Sequence, residues 1–349
     1  MKILLVSAKS NKLNGGIAVW TERYISWCAD HEIECHLVNT EAVGKRAEQG
    51  NAKRNLSDEF VRTKRIFADL KSKLDAVVEL DIAHLNTSCG TFGLFRDYMI
   101  AQRIHKKGIP IVTHYHCDIP YWIHNPISRY YLKKLAALSA KNFVLCENSR
   151  KFLEDNFGIE AIKIPNFIDE KVINDKQKII NPSIRNAFFV GRVEQAKGAT
   201  EIYELAKRFP NIIFELAGAV SDTVAQWEKP ENLILLGGMP HEQVIEHMDE
   251  ADLFLLPSHS EGFSLALVES MARGVPAVAT DVGAAADMLA DGCGIVVEKY
   301  NVDAMEQAIR KLESLDIRES ISRAAVAKVK ESYTIYAVME RFRSIYEQV

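Results

Sequence analysis

Short apolar runs alternate with amphipathic stretches along almost the whole chain. Runs at Lys2–Ser7, Glu34–Asn39, Ile82–Asn86, Pro110–His114, Asn142–Cys146 and Ala161–Ile164 have the length of strands, and helical spacing separates most of them. A second series starts at Ala187 and recurs near Ile212–Ala217, Leu233–Leu236, Asp252–Leu256, Ala277–Thr280 and Gly294–Val297. Apolar strands alternating with helices predict α/β architecture with doubly wound, Rossmann-like sheets. The polar stretch Asp169–Asn186, with its single Pro182, interrupts the pattern. It predicts a first domain over 1–170, a linker over 171–186 and a second domain over 187–331. No internal repeat is visible.

Two strand ends carry charged chemistry. In LPSHSEGFSLALVESMARGVPA (256–277) an apolar strand stops at Pro257, and helical spacing resumes after Phe263 until Gly274-Val275-Pro276. Glu261 falls in the loop and Glu269 in the second helical turn. The backbone N–H groups near Gly262, Phe263, Ser264 and Leu265 open that helix and form a candidate anion site. Upstream, AFFVGRVEQAKG (187–198) ends a strand at Gly191 and places Arg192 and Lys197 in one loop. A guanidinium and an ammonium so placed suit a diphosphate.

Gly191-Arg192, Lys197-Gly198, Glu261 with Glu269 eight positions on, and Gly274-Val275-Pro276 together resemble the retaining glycosyltransferases of family 4, over nearly the whole chain. The resemblance implies a GT-B fold, with two Rossmann-like domains facing across a cleft and the last helix (within 332–349) crossing back to the N-terminal domain. It further implies that Arg192 and Lys197 bind the donor diphosphate, Glu269 holds the ribose and Glu261 contacts the donor sugar. Gly283-Ala284 stands where the family commonly shows two glycines. In the first half the resemblance points to Gly15 and Gly16, after the first strand, as a close approach to donor phosphate and sugar. It also points to His116, with His114 as the alternate, as the histidine touching the donor sugar. Asp118 orients that imidazole, contacts the acceptor or caps a helix ahead of Pro120. The strand-end turns at Ala217–Ala219 and at Gly237-Gly238-Met239-Pro240 are placed for backbone contacts to the base, uracil in preference to guanine. Loops 87–96 and 119–129, with Tyr121 and Trp122, offer aromatic surfaces to an acceptor.

The implied reaction is retaining transfer of a hexose-type sugar from a nucleoside-diphosphate sugar to a glycan or lipid-linked saccharide in cell-surface polysaccharide biosynthesis. No D-x-D pair occurs, so the expectation is no metal and no cofactor beyond the donor. A silent nucleotide-sugar binder or an epimerase of similar architecture are the alternatives. An NAD-dependent reductase lacks its G-x-G-x-x-G after the first strand.

At 349 residues and 48% hydrophobic, the chain can fill two cores. No apolar run approaches the ~20 residues that span a bilayer, and the start lacks signal-peptide features. A cytoplasmic protein follows as the expectation, with six scattered cysteines kept reduced and no nucleic-acid partner. The net charge of −4 is uneven: 24 basic against 20 acidic residues over 1–170, and 19 against 27 over 171–349. The basic surplus is dense over Lys45–Lys73 and recurs at Arg103–Lys107 and Arg129–Lys141. If Phe60, Ile66, Phe67, Leu70 and Leu74 line one exposed helical face, this region predicts peripheral membrane contact at the inner face.

Overall fold

A computed structural model describes residues 1–10, 16–44, 55–77, 79–174 and 176–349. Gly15 and residues 45–54 of the basic stretch lie outside the described residues.

The first compact unit is Met1–Ile164 with Met339–Val349. It runs β1 (Lys2–Ser7), α1 (Gly16–Asp30), β2 (Glu34–Asn39), α2 (Leu56–Ala76), β3 (Ile82–Thr87), α3 (Thr91–His105), β4 (Ile111–Tyr115), α4 (Ile119–Trp122), α5 (Pro126–Leu138), β5 (Lys141–Val144), α6 (Glu147–Phe157) and β6 (Ile162–Lys163). The strands form one parallel sheet in the order β2-β1-β3-β4-β5-β6. Strands covered on both faces must be apolar throughout, which is why ILLV of β1 is wholly buried.

The amphipathic reading of α2 is corrected here. Asn55 caps the helix by accepting from Ser57 N–H at 3.0 Å, and Ile66 and Leu70 sit in the core with Phe67 and Leu74 packed against it. The stripe read as a membrane-facing surface therefore faces inward, because the sheet beneath needs an apolar cover. Phe60 alone of the five is strongly exposed, at 72%.

The second unit is Pro165–Val338. It runs β7 (Asn186–Val190), α7 (Ala199–Arg208), β8 (Ile213–Ala217), α8 (Asp222–Ala225), β9 (Leu233–Gly237), α9 (His241–Glu250), β10 (Leu253–Leu256), α10 (Leu265–Ala272), β11 (Ala277–Thr280), α11 (Ala285–Leu289), β12 (Ile295–Val297), α12 (Val302–Lys311) and α13 (Leu315–Ser332). Its sheet is parallel in the order β12-β11-β10-β7-β8-β9. Residues 171–186, expected as a linker, are fastened to this unit. Asn181 Nδ2 and the Arg185 N–H donate to the Asp252 carboxylate at 2.6 and 2.7 Å, and the buried Arg318 donates to the carbonyls of Asn181 and Pro182 at 2.8 and 2.9 Å.

The last helix, α14 (Ile335–Tyr346), begins in the second unit and enters the first at Met339. Phe342 is fully buried there, with ring centroids 5.3 Å from His84 and 5.5 Å from Phe143. The expectation of reduced cysteines is also corrected. Cys89 and Cys117 form a disulfide across the carboxyl ends of β3 and β4, while Cys28, Cys35, Cys146 and Cys293 are free. No sequence spacing marks the pair, because parallel pairing of β3 with β4 brings the two loops side by side.

Candidate active site

Open α/β sheets bind ligands beyond the carboxyl ends of the strands where strand order reverses. In the second unit that point lies between β7 and β10, neighbours in space with two strands between them in sequence. The loops leaving these two strands carry Arg192, Lys197 and Glu261. Lys197 Nζ donates to Glu261 Oε1 at 2.6 Å, and Ser258 Oγ donates to the same oxygen at 3.0 Å. Both partners of the ion pair are about one-fifth exposed. Arg192 is brought to the same loop but pairs with Glu194 at 3.0 Å, its side chain half exposed.

Backbone packing fixes this loop. A Cβ on Gly198 would sit 2.3 Å from the Pro257 carbonyl, so only glycine lets the Lys197 turn approach β10 so closely. Gly283, at φ +54°, holds its Cα against the Glu261 loop, where a Cβ would fall 2.2 Å from the Glu261 carbonyl oxygen. Gly283 thus packs tightly on the Glu261 backbone, and Ala284 donates its N–H to Gly262 O at 3.1 Å.

Helix α10 starts at Leu265, later than the anion-site reading placed it. Ser264 is the N-cap and its Oγ takes the Leu267 N–H at 3.2 Å, and the first-turn N–H groups of Leu265 and Ala266 have no acceptor within the helix. Gly262 precedes the helix, and Phe263 turns its ring to Tyr333 at 5.9 Å. Glu269 is 7% exposed and receives His241 Nε2 at 3.0 Å. His241 opens α9 directly after the Gly238-Met239-Pro240 turn. The His241–Glu269 contact therefore joins the helix that follows the turn read as a base contact to the helix that carries the carboxylate read as the ribose contact.

Sequence reasoning passed over three residues of this loop system. Ser258 and His259 stand within the 256–277 motif already singled out, and His241 follows the Met239 turn. His259 acts through a distant partner: its Nε2 meets the 5% exposed Glu201 at 2.8 Å and its backbone N–H donates to Ala196 O at 3.0 Å, tying the Glu261 loop to the Lys197 turn. Glu201 lies 58 positions away, on α7, and carries no local signal.

In the first unit strand order reverses between β1 and β3. Gly16 opens α1 there, and a Cβ on it would meet no atom within 4 Å, so internal packing does not demand glycine. His116 leaves the end of β4 half-buried, with Nε2 3.0 Å from Asn86 Oδ1, whereas His114 is wholly buried. Asn86, unmarked in the sequence reading, is the hub. Its Oδ1 also faces His84 Nε2 at 3.0 Å, and its Nδ2 donates to Ser7 Oγ at 2.9 Å. His84 continues through Nδ1 to the Tyr346 hydroxyl, which meets that of Tyr24 at 2.9 Å. Burial holds His84 down to about 3, and burial with the neighbouring His116 and His84 holds His114 well below its ordinary value. Asp118 occupies the N-cap position of α4 without making a side-chain cap bond.

Among the described residues no three His, Cys, Asp or Glu side chains are grouped to hold a metal ion, and no helix is long and apolar enough to cross a membrane.

Residues 170–328 match the family pattern Glycosyl transferases group 1, and residues 14–172 match Glycosyltransferase Family 4. This chain belongs to that glycosyltransferase family. Its fold is GT-B, and it superimposes along its full length on all of Anabaena HepE, solved in complex with UDP and glucose, with TM-score 0.73 at 14% identity. A Bacillus subtilis protein provisionally named teichuronic acid biosynthesis glycosyltransferase TuaC is 31% identical over 132 residues, which is 37% of this chain and 33% of that protein. The 2-deoxystreptamine N-acetyl-D-glucosaminyltransferase of Niallia circulans is 25% identical over 300 residues, 76% of each chain.

Proposed function

We propose that this glycosyltransferase moves a hexose-type sugar from a nucleoside-diphosphate sugar, UDP in preference to GDP, to a glycan or lipid-linked saccharide, with retention of anomeric configuration and without a bound metal, in cell-surface polysaccharide biosynthesis. The observation that carries the reading is the Lys197–Glu261 pair at the switch point of the second sheet, with Arg192 in the same loop and Glu269 beside the Gly238–Pro240 turn. Each part has a task in that reaction. Arg192, Lys197 and the N–H groups of Leu265 and Ala266 meet the charge that grows on the departing diphosphate, and fixed donors stabilise such charge without reorganising. Glu269 accepts from the ribose hydroxyls. Glu261 accepts from the donor sugar, and His116, oriented by Asn86, donates to it. The acceptor hydroxyl attacks on the face that the diphosphate leaves, and a phosphate oxygen takes its proton. The UDP preference is supported by the HepE complex, and the polysaccharide role by the teichuronic acid relative.

The test is a thermal-shift panel with UDP, GDP, ADP and NAD, run on wild type and on Arg192→Ala with Lys197→Ala. At about 100 times its dissociation constant a ligand adds roughly 2.7 kcal/mol. Stabilisation by UDP that the double variant loses is expected, and a response to NAD alone or to nothing would overturn the reading. NMR of the product linkage then checks the stereochemistry, which inversion would refute.

A further inference from the structure

The second half of the chain is acidic, with 19 basic against 27 acidic residues over 171–349, yet five of its cations line one cavity. The cavity, about 330 Å³, lies between residues 174–178, the end of α10 and one face of α13. Lys176, Lys178, Arg273, Arg323 and Lys330 line it, and among the described residues no Asp or Glu does. It stands apart from the loops that carry Lys197 and Glu261. Helix α10 leaves the Glu261 loop at Leu265 and ends at Ala272, so Arg273 sits at the opposite edge of the sheet, roughly 12 Å further along the helix axis. Gly274 shapes the wall. Its φ is +72°, and a Cβ there would fall 2.8 Å from Ser322 Oγ and 3.3 Å from the Lys178 Cβ, so glycine lets these two wall residues close in.

The two arginines have partners already. Arg273 donates to the Asp249 carboxylate through Nε and Nη2, both at 2.6 Å, and to Val172 O at 3.1 Å. Arg323 meets Glu319 at 3.6 Å across the exposed surface of α13, a weak pair in water. The three lysines form no ion pair among the described residues. Lys176 and Lys330 are exposed, whereas Lys178 is half-buried and its ammonium donates only to the main-chain carbonyls of Met248, at 3.4 Å, and Asp249. Burial lowers the Lys178 pKa below its ordinary value and Arg273 adds to the fall, against the pull of Asp249, Asp252 and Glu250. An anion in the cavity supplies the counter-charge that Lys178 lacks. We propose that this cavity binds a small soluble phosphate-bearing anion, held by Lys176, Lys178 and Lys330. Three ammonium groups around one concavity call for more than one negative charge, and a phosphate carries close to two near neutrality. The volume suits a small molecule, and the acidic surplus of this half repels an extended polyanion. The inference does not rest on the transfer reaction proposed above, since the cavity shares no residue with the donor loops.

Inorganic pyrophosphate is titrated calorimetrically, at constant ionic strength, into the full chain carrying Arg192→Ala and Lys197→Ala, so that the donor loops do not contribute. Binding to a single site is expected. Adding Lys176→Gln with Lys330→Gln should weaken it at least roughly tenfold, the loss of two ammonium partners from one anion. Adding Lys207→Gln with Lys311→Gln, the same change in charge elsewhere on the second unit, should leave it unchanged. With Arg192 and Lys197 intact, Lys176→Gln with Lys330→Gln should leave the affinity for UDP as in wild type. Circular dichroism confirms that each variant is folded. No binding of millimolar pyrophosphate, or equal weakening by both lysine pairs, would overturn the proposal. So would a parallel loss of UDP affinity in the cavity variant, because the cavity would then not be a site of its own.

Discussion

Single residues shape the loops proposed to hold the donor through backbone clearance as much as through charge. Gly283 is the sharpest case, since its left-handed φ and its approach to the Glu261 carbonyl both exclude a Cβ. Gly283→Ala is expected to cost about 1–3 kcal/mol of second-unit stability, from the backbone conformation and from the shift the loop must make. It should also weaken nucleotide binding, because the loop that moves carries Glu261. Urea denaturation and calorimetric titration with UDP check the two effects, and normal binding in the folded variant would detach Gly283 from the site. Arg192, Lys197, Glu261 and Glu269 stand out in the sequence as charges that follow strand ends, and the fold pairs Lys197 with Glu261. His259 with Glu201, and Asn86 with His84, do not stand out. Each depends on a partner from another element, and a single sequence does not say which side chains meet.

At the scale of elements, the alternating pattern predicted every strand of both sheets, with ends differing by at most two residues. The reason is that parallel strands buried on both faces leave long apolar runs. Helix α2 shows the limit of the same reasoning. Its apolar stripe was legible, but whether the stripe faced core or lipid depended on what lay beneath it. Helix α14 shows the converse, an element at the end of the chain that completes the core of its beginning. Phe342→Ala should therefore lower first-unit stability by about 3–5 kcal/mol through the cavity it leaves among His84, His114 and Phe143. Calorimetry with and without UDP distinguishes the units. The transition that UDP does not shift should move, and a loss confined to the UDP-shifted transition would contradict the assignment of α14.

For the whole molecule, buried histidines set the response to acid. His84 and His114 are neutral in the folded protein, with values pushed below the ordinary 6.5, to about 3 for His84. Unfolding lets each take up a proton at any pH between those limits, so stability rises with pH across that window and falls as pH drops below about 6.5. Each group contributes up to about 1.4 kcal/mol per pH unit. His114 makes no hydrogen bond of normal geometry through either ring nitrogen, so His114→Leu should flatten the dependence of denaturation midpoint on pH. An unchanged slope would mean that the ring is hydrated or already charged. The sequence by itself determined the two parallel α/β repeats, the charged loop residues and the family they resemble, because periodicity and motif spacing are local properties of the chain. Only tertiary structure decided the rest. It brought β7 beside β10 to join Lys197 to Glu261, closed Cys89 on Cys117, turned α2 inward and gathered Lys176, Lys178 and Lys330 around one cavity, since each depends on which elements become neighbours when the sheets form.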